Sequence, residues 1–221
     1  MQKFDTPTPV TAVIHLAAGR VQVIAATRSD TTVDVRPANP GKSRDVEAAE
    51  RTTVAFADSV LRVDTPEPRR ELFGPSGSVE VTVQVPAGSR VEGKSAAAEL
   101  RGVGRLGEVA FEGAYRQIKI DEAAGVRITA IDGDVEVGRL TGPAEISTNR
   151  GDIRITEAAR GAVVLTTMDG SISIGAAAGT SATLDAGTSY GRVRNALQND
   201  GSAGLEIRAT TMRGDIEAHS L

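Results

Sequence analysis

The chain has 221 residues and a net charge of −4, which disfavours non-specific binding to nucleic acid or to an anionic membrane. It has no Cys, so disulfides, thiolate metal sites and a Cys nucleophile are excluded. Aromatics make up 3% of the residues and Trp is absent, so the core must be built from Val, Ile, Leu and Ala, which suit thin, regular layers.

The length admits one large all-β domain or two small ones. The 24 glycines fit a chain that turns often. No Arg/Lys stretch is interleaved with aromatics, and no run approaches the ~18 apolar residues that span a bilayer. The start, Met1 to Pro7, has no apolar stretch after a basic one. The expectation is a cytoplasmic chain with no signal peptide, no transmembrane segment and no nucleic-acid partner.

Period-two alternation opens the chain. Val10–Leu16 reads as a strand, Ala17-Ala18-Gly19 as a turn, Val21 and Val23 as one face of the next strand, and Val33 and Val35 as a third. Pro37 to Gly41 breaks the pattern. Arg44 to Arg51 predicts a short helix with Val46, Ala48 and Ala49 facing inward. Thr53–Phe56 and Val60–Val63 read as two strands joined by a tight turn at Asp58-Ser59. Thr65 to Gly77, with Arg69-Arg70-Glu71, reads as an exposed, mobile loop. Val79, Val81, Val83 and Val85 then alternate with polar residues in the cleanest strand of the chain, closed by Pro86-Ala87-Gly88-Ser89.

From Val126 one phrase recurs: a small or β-branched residue, two variable residues, Gly, a polar residue, then Ile or Val. Its glycines are Gly133, Gly151, Gly170, Gly191 and Gly214, stepping by 18, 19, 21 and 23 residues. Strands are expected on both sides of each Gly. Earlier copies are degenerate, with Arg116 at the Gly position of one of them. Such a period marks a stacked repeat, because one coil cannot bury its apolar face alone. Gly is expected at the corner, where the chain needs positive φ or a Cβ would clash. Thr148, Thr167, Thr188 and Thr211 are expected to stack in register.

Gly19-Arg20-Val21-Gln22-Val23, Val79 through Ser89 and the Gly-Asp-Ile/Val copies at 133, 151 and 214 together resemble the DUF4097 family of β-strand-repeat proteins. These proteins are often labelled candidate adhesins. The resemblance covers nearly the whole chain. It implies a β-solenoid-like architecture with no established enzymatic activity and no cofactor. It also implies association with the cell envelope, since many members carry a membrane segment or sit beside regulators of envelope stress.

Asp134, Asp152, Ser171, Arg192 and Asp215 each follow a corner glycine and form one predicted column. That column is a candidate partner or ligand face; the competing reading is turn chemistry, with short polar side chains holding backbone N–H groups. The Gly-Gly-x-Gly-x-Asp spacing of calcium-binding rolls is absent. Asp132 and Asp169 precede Gly133 and Gly170, and could complete the carboxylate pairs that glycoside hydrolysis needs. Only Tyr115 and Tyr190 lie near as sugar platforms. His15 and His219 lie far apart in sequence, so a His-based metal site or triad is not expected, and His219 reads as a frayed end. Gly102 to Gly107 matches G-x-G-x-x-G without a following helix and reads as coincidence.

These readings predict an all-β chain. A β-rich region over residues 1–87 packs on or caps a right-handed parallel β-solenoid over residues 88–221, in coils of ~20 residues. The function expected is a non-catalytic scaffold binding a protein or glycan, with no metal and no cofactor. The alternatives are a carbohydrate-active β-helix enzyme and an envelope-stress accessory. An uncapped C-terminal coil is expected either to be covered by the N-terminal half or to pair with a second copy.

Overall fold

The computed structural model describes residues 1–65, 77–114 and 116–221, and only the backbone of Ala114. The loop expected over Thr65–Gly77 falls almost wholly on residues 66–76, outside the described residues, as does Tyr115. The described elements run β1 (Gln2–Asp5), β2 (Thr11–Ala26), β3 (Asp30–Pro37), α1 (Ser43–Arg51), β4 (Thr53–Ala57), β5 (Val60–Asp64), β6 (Val79–Pro86), β7 (Arg90–Ala114) and β8 (Ile118–Asp132). Shorter strands follow: β9 (Val135–Leu140), β10 (Ala144–Arg150), β11 (Ile153–Ala158), β12 (Gly161–Asp169), β13 (Ile172–Ala176), β14 (Ala182–Tyr190), β15 (Val193–Ala196), β16 (Leu205–Arg213) and β17 (Ile216–Ser220).

The strands form two stacked ladders, one before and one after each corner glycine. The first contains β4, β5, the start of β2, both ends of β7, the end of β8, then β10, β12, β16 and β14. The second contains β1, β3, β6, the end of β2, the middle of β7, the start of β8, then β9, β11, β13, β17 and β15. Long strands β2, β7 and β8 bend from one ladder into the other. The turn expected at Ala17–Gly19 is such a bend: β2 runs through it, and a Cβ on Gly19 would lie 1.8 Å from the Val79 carbonyl oxygen.

Inward positions form columns of like side chains. Ile118, Val135, Ile153, Ile172 and Ile216 stack in register, each at most 1% exposed. Each such burial contributes about 1.5–3 kcal/mol. Phe111, 1% exposed, is among the described residues the one aromatic ring with a fully buried side chain in this otherwise aliphatic core. At the N-terminal end, antiparallel β1 and β4 flank the stack, and the Phe4 and Phe56 rings pack at 5.1 Å between centroids. The β4–β5 turn has φ of 51° at Asp58 and 61° at Ser59, the two positive values of a type I′ hairpin. Helix α1 packs Ala48 and Ala49 against the core as expected, whereas Val46, also expected to face inward, is not among the residues packed on it. Its most buried residue is Asp45, whose carboxylate accepts the N–H groups of Ser78 (2.9 Å) and Asn39 (3.1 Å). Among the described residues no helix is long and apolar enough to cross a membrane.

The coil order departs from the sequence order. β16 lies between β12 and β14, and β17 between β13 and β15. The last coil in sequence is therefore flanked on both sides, which corrects the expectation of an uncapped C-terminal coil. β14–β15 is the end of the stack instead. His219 is correspondingly a β17 residue, in register with Gly175 and Ala196, and not a frayed end.

Close approach at the corners leaves no room for side chains. A Cβ on Gly214 would lie 2.1 Å from the Gly170 carbonyl oxygen, and its φ is +139°. Gly187, on β14, has nothing within 4 Å of the same position. Gly214→Ala is expected to lower the unfolding free energy by roughly 2–4 kcal/mol, and Gly187→Ala by less than about 1 kcal/mol. Urea unfolding of the two variants checks this; equal effects would contradict the corner geometry.

Candidate functional site

The five predicted column residues do come together, in the spatial order Asp134, Asp152, Ser171, Asp215, Arg192. Each side chain holds the backbone of the next coil. The Asp134 carboxylate accepts the Asp152 N–H (2.8 Å), Asp152 accepts the Ser171 N–H (2.7 Å), the Ser171 hydroxyl oxygen accepts the Asp215 N–H (3.3 Å) and Asp215 accepts the Arg192 N–H (2.9 Å). Arg192 ends the ladder with a side chain that cannot accept.

The glycines beside this column are its counterpart. A Cβ on Gly133, Gly151, Gly170, Gly214 or Gly191 would fall 1.9–2.4 Å from a carbonyl oxygen of the neighbouring coil, Arg116 supplying the first. The threonines form a third row in the expected register. The hydroxyls of Thr167, Thr211 and Thr188 donate to the carbonyls of Gly151 (3.1 Å), Gly170 (2.9 Å) and Gly214 (3.0 Å).

The remaining predicted carboxylates are paired across coils. Asp132 meets Arg150 at 3.4 Å and Asp169 meets Arg213 at 3.6 Å. The same pattern covers both outer faces: Arg90–Glu108 and Arg101–Asp121 at 2.7 Å, Lys119–Glu136 at 2.8 Å, Arg208–Asp185 at 3.3 Å. His15 contacts Asp64 at 2.8 Å on the surface of β2, away from His219. Gly102–Gly107 lies within strand β7. Among the described residues no three His, Cys, Asp or Glu side chains gather as a metal site.

Two surface features escaped the sequence reading. A groove of about 290 Å³ runs over the first ladder, with Ala110, Pro143, Ala162 and Val164 in its lining and the Arg127–Glu145 ion pair beside them. A ridge along the corners carries Ile131, Met168, Met212 and Tyr190, the methionines each 51% and the tyrosine 75% exposed. Tyr190 stands where this ridge reaches the end coil. The only available signal was the apolar residue one or two places before Gly in several copies.

The column predicts its own energetics. Asp152→Ala leaves the Ser171 N–H without its acceptor and is expected to cost about 1 kcal/mol of stability, while Asp152→Asn, which keeps a side-chain oxygen, is expected to cost less than half of that. Chemical denaturation of both variants checks the order; a costless alanine would contradict the ladder.

The fold is found in known proteins. A crystal structure of a candidate adhesin from Bacteroides fragilis superposes with a TM-score of 0.52, at 13% identity over 98% of this chain and 95% of that one. A candidate adhesin and a candidate lipid-binding protein, both from Parabacteroides distasonis, align with TM-scores of 0.42 and 0.44 at 13% and 11% identity. Each of these two alignments covers 98% of this chain and 95% of the other. Comparison with curated proteins returns no match. The family model described as Toastrack DUF4097 matches residues 76–219, the larger part of the sequence, and the chain belongs to that family.

Proposed function

We propose that the chain is a non-catalytic binding scaffold, a right-handed stack of coils that holds a protein partner on its outer surface. One observation carries this reading: the carboxylates along the corners are already engaged. Asp134, Asp152 and Asp215 hold backbone N–H groups, and Asp132 and Asp169 hold arginines. A glycosidase needs one carboxyl group free to donate a proton and another free to attack or to activate water. Regular cross-coil pairing instead gives flat, rigid faces suited to contact. Among the described residues Tyr190 is a single exposed aromatic ring beside exposed methionines, a surface that suits a protein contact. The Bacteroides fragilis protein of this fold is named for adhesion, which agrees with a binding role, and an envelope location fits the same reading. Right-handed coils follow the general preference for parallel connections.

The test is capture on the immobilised full chain from an extract of the source bacterium, run beside an assay for reducing ends released from polysaccharides. A reproducible protein partner without released sugar is the expected result. Sugar release that disappears in Asp132→Asn or Asp134→Asn would overturn the proposal in favour of the carbohydrate-active enzyme.

A further inference from the structure

The two ends of the stack are finished differently. At the N-terminal end antiparallel strands and the Phe4–Phe56 pair cover the core. At the other end the inward column stops at Val193, which is 44% exposed although its in-register neighbour Ile216 is fully buried. Leu184, Ala186 and Leu197 are only partly covered.

The return segment from β15 to β16 caps a fraction of this end. Gln198 accepts the Ala182 N–H at 3.0 Å, and Asp200 is fastened over Ser181, whose hydroxyl accepts its N–H at 3.0 Å. Beyond Ala182 the edge is open. In the inner coils the N–H groups of the corner Gly and of the residue two places on donate to the next coil: Gly170 to Arg213 and Ile172 to Asp215, then Gly214 to Tyr190 and Ile216 to Arg192, all at 2.9 Å. On the end coil the same groups belong to Gly191 and Val193, and among the described residues no coil lies beyond them. Unpaired edges of this kind template another strand.

The side chains at this edge define what fits. Arg192 and Arg194, like Arg154 on β11, have no carboxylate within ion-pair distance among the described residues, but they alone sit on the open coil, where Asp185 is satisfied by Arg208. Apolar Tyr190 and Met212 lie just before the corner. The inner neighbour shows the matching chemistry. Met212, Asp215 and Glu217 lie opposite Ser189, Arg192 and Arg194, and Asp215 accepts the Arg192 N–H.

We propose that the β14–β15 edge, from Leu184 through Val193, is a docking site for an extended segment of another protein that adds as a parallel strand. That segment carries an apolar residue to lie beside Tyr190 and, three and five residues later, carboxylates for Arg192 and Arg194. Backbone bonds to Gly191 and Val193 supply affinity, and the charges fix register. This rests on the binding-scaffold reading and names its partner class.

The test uses the full chain and a labelled synthetic peptide with the sequence of Leu205–Leu221, which carries the required pattern. Fluorescence anisotropy is expected to show saturable binding, with hydrogen exchange slowed at Leu184 and Val193. Arg192→Glu combined with Arg194→Glu is expected to raise Kd at least tenfold. A peptide with arginines at both carboxylate positions is expected to bind that variant better than the original peptide does, an outcome that misfolding cannot give. Val193→Pro removes an outward N–H while leaving the pairing of Arg192 and Arg194 with β17, and is expected to weaken binding likewise. Absence of binding, indifference to all three substitutions, or self-association of the chain once the arginines are reversed would overturn the proposal; the last would make them guards against stacking. Partner capture from extract that survives Val193→Pro would retain the scaffold reading while removing this edge from it.

Discussion

The structure depends on how closely two coils approach at the glycine corner. Carbonyl oxygens of one coil occupy the space where a Cβ of the next would be, 1.9–2.4 Å from that position along the whole column. Nothing larger than glycine fits without moving backbone. The approach brings the neighbouring Asp or Ser within reach of the next coil's N–H, and the Thr hydroxyl within reach of the Gly carbonyl. Three polar rows thus lock one edge of a core whose inner columns are almost purely aliphatic. Each bond is worth only about 1 kcal/mol net. Their value lies in register, because a one-residue slip would turn every inward Ile and Val to solvent.

The same ladder supports the proposal that the carboxylate column is structural and that recognition belongs to the stack end. An oxygen that accepts a backbone N–H from the next coil is not at liberty to move protons or hold a sugar. Among the described residues the last coil combines outward N–H donors, two arginines without an ion-pair partner and a partly uncovered aliphatic column. Ends of repeat stacks need a device that either terminates pairing or uses it. The N-terminal end covers its core with antiparallel strands and a stacked phenylalanine pair.

Much of this was legible residue by residue. Alternating valines over 79–85 marked β6, and Asp58-Ser59 between β-branched runs marked the hairpin. The repeat phrase located the corners, the threonine row and the Asp column, and even placed Arg116 where a glycine was missing. These are local signals, set by side-chain period and turn chemistry. Coil order was not legible, since choosing which coil lies beside which is a long-range decision that no single strand encodes. A trace of it exists in the glycine spacing, which widens from 18 and 19 residues to 21 and 23 at the steps where the chain skips a coil and then returns. The continuity of β2 through Gly19 was missed because a bend between ladders and a hairpin turn use the same small residues. Asp45 was missed because a buried carboxylate on a short helix is justified only by N–H groups that the fold delivers, here from Ser78 and Asn39.

The most direct test of this architecture exploits the absence of native cysteine. Ser173 is in register with Glu217 on the adjacent coil, and Arg194 lies one coil further out, on the far side of Glu217. Adjacent strands are about 4.8 Å apart and alternate ones about 9.6 Å, while a disulfide requires Cα atoms within about 7 Å. Under mild oxidation the pair Ser173→Cys with Glu217→Cys is predicted to close within the monomer, and the pair Ser173→Cys with Arg194→Cys to stay open. The reverse result would mean that coils stack in sequence order, and would contradict both the inserted C-terminal coil and the open β14–β15 edge.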